Sequence, residues 1–188
     1  MGRVSTVKHS DVYNMVGTHI AEHGAIKLQD IVDQTGISIG SLYHHYGSRE
    51  ELLALTWLDA VTAFQERFLA ALDSGLPNAG VLAARVTPQF CRTEPAKARV
   101  LVCCRRQELI SATLPEELTK KISAVNVDAA KSLSSFAKAR GYALEACKLG
   151  LIGFPLGAVR LYLPHKAVPE CLDDFVANAF RSAISTKV

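Results

Sequence analysis

Residues 28–53 read LQDIVDQTGISIGSLYHHYGSREELL, and this stretch restricts the local fold more than any other part of the chain. Leu28, Ile31 and Val32 recur at helical spacing and give one apolar face. Gly36 follows that run directly, and glycine tolerates the left-handed backbone that ends a helix. Ser38 is then an N-cap, three residues before Ser41. Ile37 precedes the cap and Leu42 takes the fourth helical position, the pairing of a hydrophobic staple. Gly47 closes this second short helix. Ser48-Arg49-Glu50-Glu51 is a capping box that opens a long amphipathic helix containing Leu52, Leu55, Leu58, Val61, Phe64, Phe68 and Leu72.

Helical spacing continues on both sides of this stretch. A helix is expected from about residue 10, capped by Ser10 or His9, with Asp11 at its positive end and Gly24 at its close. Val12, Val16 and Ile20 form its inner face, with Tyr13 on the flank. Beyond residue 72, glycines and prolines divide the chain into further helices at about 79–92, 95–110, 115–140, 144–163 and 169–186. Pro88 and Pro155 should bend two of them. Strand-like alternation, internal repeats and heptads are absent. The expected class is all-α with about nine helices: a helix-turn-helix domain over 1–52 and a helical domain over 53–188.

The chain has 188 residues, 49% of them hydrophobic, enough to bury a substantial core. Its formal charge of +3 does not by itself require a nucleic-acid partner. Residues 1–50 carry a net charge of −1, from Arg3, Lys8, Lys27 and Arg49 against Asp11, Glu22, Asp30, Asp33 and Glu50. Affinity for DNA must therefore come from a few placed groups, helix N-termini and dimerisation. No secretory signal precedes Ser10. The longest apolar run, 149–159, is interrupted by Gly150, Gly153, Pro155 and Gly157, so no membrane partner is expected. Five cysteines without zinc-site spacing point to a reduced, cytoplasmic chain with no metal or cofactor.

The second short helix has a chemistry of its own. Ile37, Ile39, Leu42 and Tyr46 are expected to pack inward. That leaves Ser38, Gly40, Ser41, Tyr43, His44 and His45 outward, on a helix narrow enough for the major groove. Gly40 permits close approach, and Ser41 can bond a base or a phosphate. Tyr43 and His45 can donate to phosphate oxygens, and His44 can reach a base edge. Lys27 and Arg49 stand at helix starts, whose amides also suit phosphates.

These residues resemble the tetracycline-repressor (TetR) family of bacterial regulators. The likeness rests on residues 42–53, LYHHYGSREELL, behind Ile31 and the Gly36-Ile37-Ser38 turn, and covers about residues 8–55. It implies phosphate contacts for Tyr43, His45 and Arg49 and groove-facing places for Ser38, Gly40, Ser41 and His44. It also implies a base contact for Gln29. The chain departs from the family pattern at Lys27, where many members have a threonine cap, and at Val32 and Thr35, where many have alanines. The resemblance further implies a homodimeric regulator, most often a repressor, released from a palindromic operator on double-stranded DNA by a small-molecule effector.

Candidate effector-pocket residues are Trp57, Phe64, Phe68, Phe90, Cys103 and Phe154, each also explicable as core. Candidate dimer residues are Leu149, Leu156, Val159 and Tyr162, followed by Phe175, Phe180 and Ile184. Arg105 and Arg106 beside Cys103-Cys104 raise the idea of an activated thiol, although inert cysteines explain the pair as well. Arg99 and Arg160 read as surface charges. His44 and His45 point different ways on a helix and make no metal site. No catalytic motif occurs, so no enzyme is expected. The alternative function is a helical ligand-binding or protein-interaction module without DNA binding, motivated by the weak local charge.

Overall fold

The computed structural model describes residues 8–111 and 113–186. Among them it forms only helices, as the sequence leads one to expect: α1 (His9–His23), α2 (Leu28–Thr35), α3 (Ile39–Tyr46), α4 (Arg49–Leu72), α5 (Ala79–Thr93), α6 (Pro95–Cys103), α7 (Arg106–Ser111), α8 (Glu116–Ala124), α9 (Val127–Arg140), α10 (Leu144–Lys148), a π-helical turn (Leu149–Gly153), α11 (Phe154–Val159) and α12 (Leu172–Ser185). The second and third helices occupy the expected residues.

Three expected continuous helices are interrupted. The 95–110 helix stops at Cys103 and restarts at Arg106. The Arg106 guanidinium donates to the carbonyls of Ile122 (3.1 Å) and Ser123 (2.7 Å), at the end of α8. That tertiary bond holds α7 against α8, and local spacing cannot register it. The 115–140 helix turns at Val125 and Asn126. The 144–163 helix contains the π turn just before Pro155 and ends at Val159. The irregularity expected near Pro155 is therefore present. The first helix begins one residue before Ser10: its cap position is Lys8, with no side-chain cap bond, and Ser10 instead donates to Asp11 (3.4 Å).

The chain forms two compact units, each drawn from two stretches, where the sequence reading divided it once at 52/53. The first unit joins residues up to 60 with 96–124. Its core is Val12, Val16 and Ile20 from α1, Ile26, Ile31 from α2, Leu42 and Tyr46 from α3, and Leu52 from α4. Cys103 and Cys104 pack against that core. Gly17 lets α1 meet α6 closely, because a Cβ there would lie 2.5 Å from the Ala96 carbonyl oxygen. Lys97 on α6 pairs with Asp59 on α4 at 2.9 Å.

The second unit joins 61–95 with 125–188. Here α12 lies along α5. Phe180 fills the space that Gly80 and Gly150 leave open, and a Cβ at Gly150 would come within 3.0 Å of the Phe180 backbone. The start of α12 is held to α5 by a polar clamp. Arg92 donates to both Asp173 oxygens at 2.8 Å, Gln89 donates to Asp173 at 3.0 Å, and Arg85 pairs with Asp174 at 2.6 Å. Arg92 and Asp173 are about four-fifths buried, so their bonds are shielded from solvent screening. Asp173→Ala should destabilise the protein by about 1–3 kcal/mol, through lost charge-assisted bonds and a stranded guanidinium. Thermal denaturation checks this, with a fall in Tm of about 2–4 °C per kcal/mol expected for a chain of this size.

Candidate nucleic-acid interface

Three local devices position α3. Gly36 ends α2 at φ 69°, a left-handed conformation, and turns the chain sharply. The Ser38 hydroxyl oxygen accepts from the Ser41 amide at 3.1 Å and starts the helix. At the far end Gly47 adopts φ 73°, and the capping box follows. The Ser48 hydroxyl accepts from the Glu51 amide at 3.0 Å, while the Glu51 carboxylate accepts from the Ser48 amide at 3.2 Å.

Burial of Leu42 and Tyr46 then sets the rotation of α3 about its axis. They are 2% and 6% exposed, whereas Tyr43 is 53% exposed. Ser38, Gly40, His44 and His45 are exposed and Ser41 is half-buried, so the groups expected outward stand outward. Ile39 is the exception. Expected to pack, it is 41% exposed, because the first turn of so short a helix projects beyond the core that Leu42 reaches. Ile37 does pack against that core.

The end of α3 is tied to the start of α1. His9 Nδ1 lies 2.8 Å from the Tyr46 hydroxyl, which donates to it in the neutral ring protonated at Nε2. Around this bond His9 meets Tyr46 edge to face at 5.4 Å, and His9 meets His45 at 6.3 Å. Burial, reinforced by the nearby Tyr13 phenol, pushes Tyr46 up to about 12. Burial and then the Asp59 carboxylate raise Tyr13 as well. Both phenols therefore stay protonated at neutral pH. The sequence reading gave His9 only a capping role; its partner lies 37 residues away, beyond any local spacing.

The flanking candidates are also on the surface. Lys27, Gln29 and Arg49 are exposed. Lys27 occupies the cap position of α2 without a side-chain cap bond, as a lysine must, having no acceptor. The Gln29 amide donates to Asp33 at 2.8 Å on the same helix, so it must leave that carboxylate to reach a base. At α4 the capping box already engages the amides of Ser48 and Glu51, which leaves fewer free donors there than an uncapped start would offer.

The expected effector-pocket residues are drawn from both units. Trp57 and Cys103 belong to the first unit, and Phe64, Phe68, Phe90 and Phe154 to the second. Phe64 stacks on Phe68 at 5.9 Å and meets Phe90 edge to face at 5.5 Å, and Arg67 lies over the Phe90 ring. Phe68 and Phe90 are buried there and Phe64 is half-buried. Phe154 is 44% exposed and lines a separate surface depression of about 370 Å³ between α11 and α12. The expected dimer residues also divide. Leu149 (51%) and Phe175 (67%) are exposed, whereas Val159 (1%) and Phe180 (3%) are buried within the second unit. The five-residue step from Phe175 to Phe180 turns the helix by about 140° at 3.6 residues per turn, so the two rings face opposite ways. Leu156, Tyr162 and Ile184 are half-buried.

The thiols are not activated by their arginine neighbours. Arg105 is largely exposed and 4.0 Å from Glu108, and Arg106 is engaged with α8. Burial raises Cys103, with the Arg99 guanidinium only partly offsetting it. Burial, then Cys103 and Glu108, push Cys104 up to about 12.

A glycine-turned helix pair with a capped second helix whose polar side faces outward is a helix-turn-helix. Residues 20–55 match the family model described as bacterial regulatory proteins, tetR family. The chain is also 27% identical over 97 residues to the HTH-type transcriptional repressor KstR2 of Rhodococcus jostii (strain RHA1), a match covering 50% of this chain and 48% of that protein. The match thus spans about half the length of this curated relative. Over residues 20–55 the chain is thus similar to the DNA-binding segment of TetR-family bacterial regulators. Among the described residues no helix is long and apolar enough to cross a membrane.

The capping box is the local feature most exposed to a single change. Ser48→Ala should lower stability by about 1 kcal/mol, a typical loss for an N-cap serine. Urea denaturation measures it, and an unchanged midpoint would show that the box contributes nothing in this context.

Proposed function

We propose that the chain is a homodimeric transcriptional repressor of the cytoplasm. Two copies of α3 read a palindromic operator, and a small-molecule effector releases it. The observation that carries this reading is the division of α3, with Leu42 and Tyr46 buried and Tyr43, His44 and His45 exposed on the opposite surface. Tyr43 and His45 donate to phosphate oxygens, and Arg49 and Lys27 add charge at neighbouring helix starts. Ser41 and His44 face base edges, Gly40 admits close backbone approach, and Ser38 and Gln29 contact the groove margin. The name of the Rhodococcus relative supports repression as the sign of regulation.

One eight-residue helix contacts too few base pairs to be selective, so two copies about 34 Å apart must act together. The apolar surface of the second unit supports the pairing. Phe154 and Phe175 are exposed beside Gly153, Gly157 and Ala179, a depression that a facing helix fills. Residues 1–52 serve DNA and 53–188 serve effector and dimer. The stretch 96–124, which packs with the DNA-binding helices, carries the signal. A coupling of about 1–3 kcal/mol loosens the operator about 5–150-fold.

A mobility shift against the DNA upstream of the protein's own gene tests the reading. Absence of any shift would favour the alternative, a helical interaction module, which the net charge of −1 over residues 1–50 supports. Tyr43→Ala or Arg49→Ala should weaken binding to every sequence, each reducing the slope of log affinity against log salt by about one. Ser41→Ala and His44→Ala should instead change which bases are preferred. Equal losses on all operators would place those two side chains away from base edges. Phe175→Glu should yield monomers by light scattering and abolish operator binding; a persistent dimer would put the interface elsewhere.

A further inference from the structure

Cys103 and Cys104 are consecutive, yet both border the same cleft. α6 ends at Cys103, and Cys104 follows as its cap residue, with its amide donating to the Val100 carbonyl at 2.9 Å. The cleft has a volume of about 200 Å³ and lies wholly within the first unit. Its apolar wall is Ile20, Ile26, Leu53 and Leu109, and Arg49 stands at its margin. Both cysteines are free and partly accessible. Both thiols thus border one cleft, are reachable and are set against the core that supports the helix-turn-helix.

We propose that Cys103 and Cys104 form a dithiol site for a monosubstituted trivalent arsenical, and that occupation of this site weakens DNA binding. Two soft sulfurs select a soft centre. Among the described residues no group of three or more His, Cys, Asp or Glu is placed to hold a metal ion, which removes the usual zinc arrangement. Pyramidal arsenic holds its two sulfurs side by side and leaves its organic substituent free. The cleft is smaller than a drug-sized pocket and has an apolar wall suited to a small hydrocarbon group.

The chemistry balances without an oxidant. Two S–As bonds form, two As–OH bonds break, and each thiol proton leaves with a hydroxide as water. Neither arsenic nor sulfur changes oxidation state. Because burial holds both thiols protonated, single-thiolate reactions such as peroxide oxidation are disfavoured. Exchange in which the departing hydroxide takes the thiol proton does not need a standing thiolate. An arsenic centre between the end of α6 and Leu53 displaces the start of α4, where Arg49 resides. The regulatory half of the proposal rests on the DNA-binding reading; the site itself does not.

Phenylarsine oxide and the full-length chain test it. Intact mass spectrometry should show one phenylarsenic group bound per chain, with the two thiol hydrogens lost. Excess 2,3-dimercaptopropanol should remove it. Cys103→Ser, Cys104→Ser and the corresponding alanine variants, shown to be folded by near-ultraviolet circular dichroism, should each lose the adduct, and Cys171→Ser should keep it. The loaded wild type should bind its operator about tenfold more weakly, within the usual range of site-to-site coupling. An adduct that survives loss of either thiol overturns the site, and unchanged DNA affinity on full loading overturns its regulatory role. If the unloaded protein binds no DNA, the repressor reading fails, and adduct formation still decides the dithiol site.

Discussion

Burial of Leu42 and Tyr46 beneath α3 fixes the arrangement on which the proposed DNA recognition depends. A helix of eight residues has little stability of its own. It is held by its contacts with Val12, Val16, Ile31 and Leu52, and those contacts set its rotation. A rotation of one residue would turn Tyr43 inward and a core residue outward. The caps at Ser38 and Ser48 and the turn at Gly36 fix the ends of the neighbouring segments. The bond from Tyr46 to His9 then ties the last turn of α3 to the first turn of α1.

The same core extends to a part of the chain far from the motif in sequence. Residues 96–124 pack with the DNA-binding helices, through Ala96 against Gly17, Lys97 against Asp59, and Cys103 and Cys104 against the apolar cluster. A movement of α6 is therefore felt at α1 by direct backbone contact, with no room at Gly17 to absorb it. The break between α6 and α7 places two thiols at this junction. The physical basis of both the proposed effector response and the proposed dithiol site is this one packed surface.

Local rules carried the reading of the front segment a long way. The bounds of α2 and α3, the serine caps, the capping box and the outward set from Ser38 to His45 follow from nearest-neighbour chemistry, and the structure has them. Ile39 was misassigned because apolar character says nothing about how far the core extends. The expected dimer set divides between surface and interior for a related reason. Val159 and Phe180 are as apolar as Leu149 and Phe175, but glycines at 80 and 150 draw Phe180 inside. Cys103 was expected within the 53–188 domain, whereas it packs with the first unit.

The sequence by itself determined that the chain is helical, where α2 and α3 begin and end, and which face of α3 bears polar groups. Periodicity, capping and glycine turns act over a few residues, so they are written in consecutive letters. Tertiary structure alone decided that 96–124 joins the DNA-binding unit, that α6 stops at Cys103, that His9 meets Tyr46, and that Asp173 is gripped by Arg92. Each of these depends on groups many residues apart, whose meeting is set by the shared burial of apolar surface and by hydrogen-bond geometry across it.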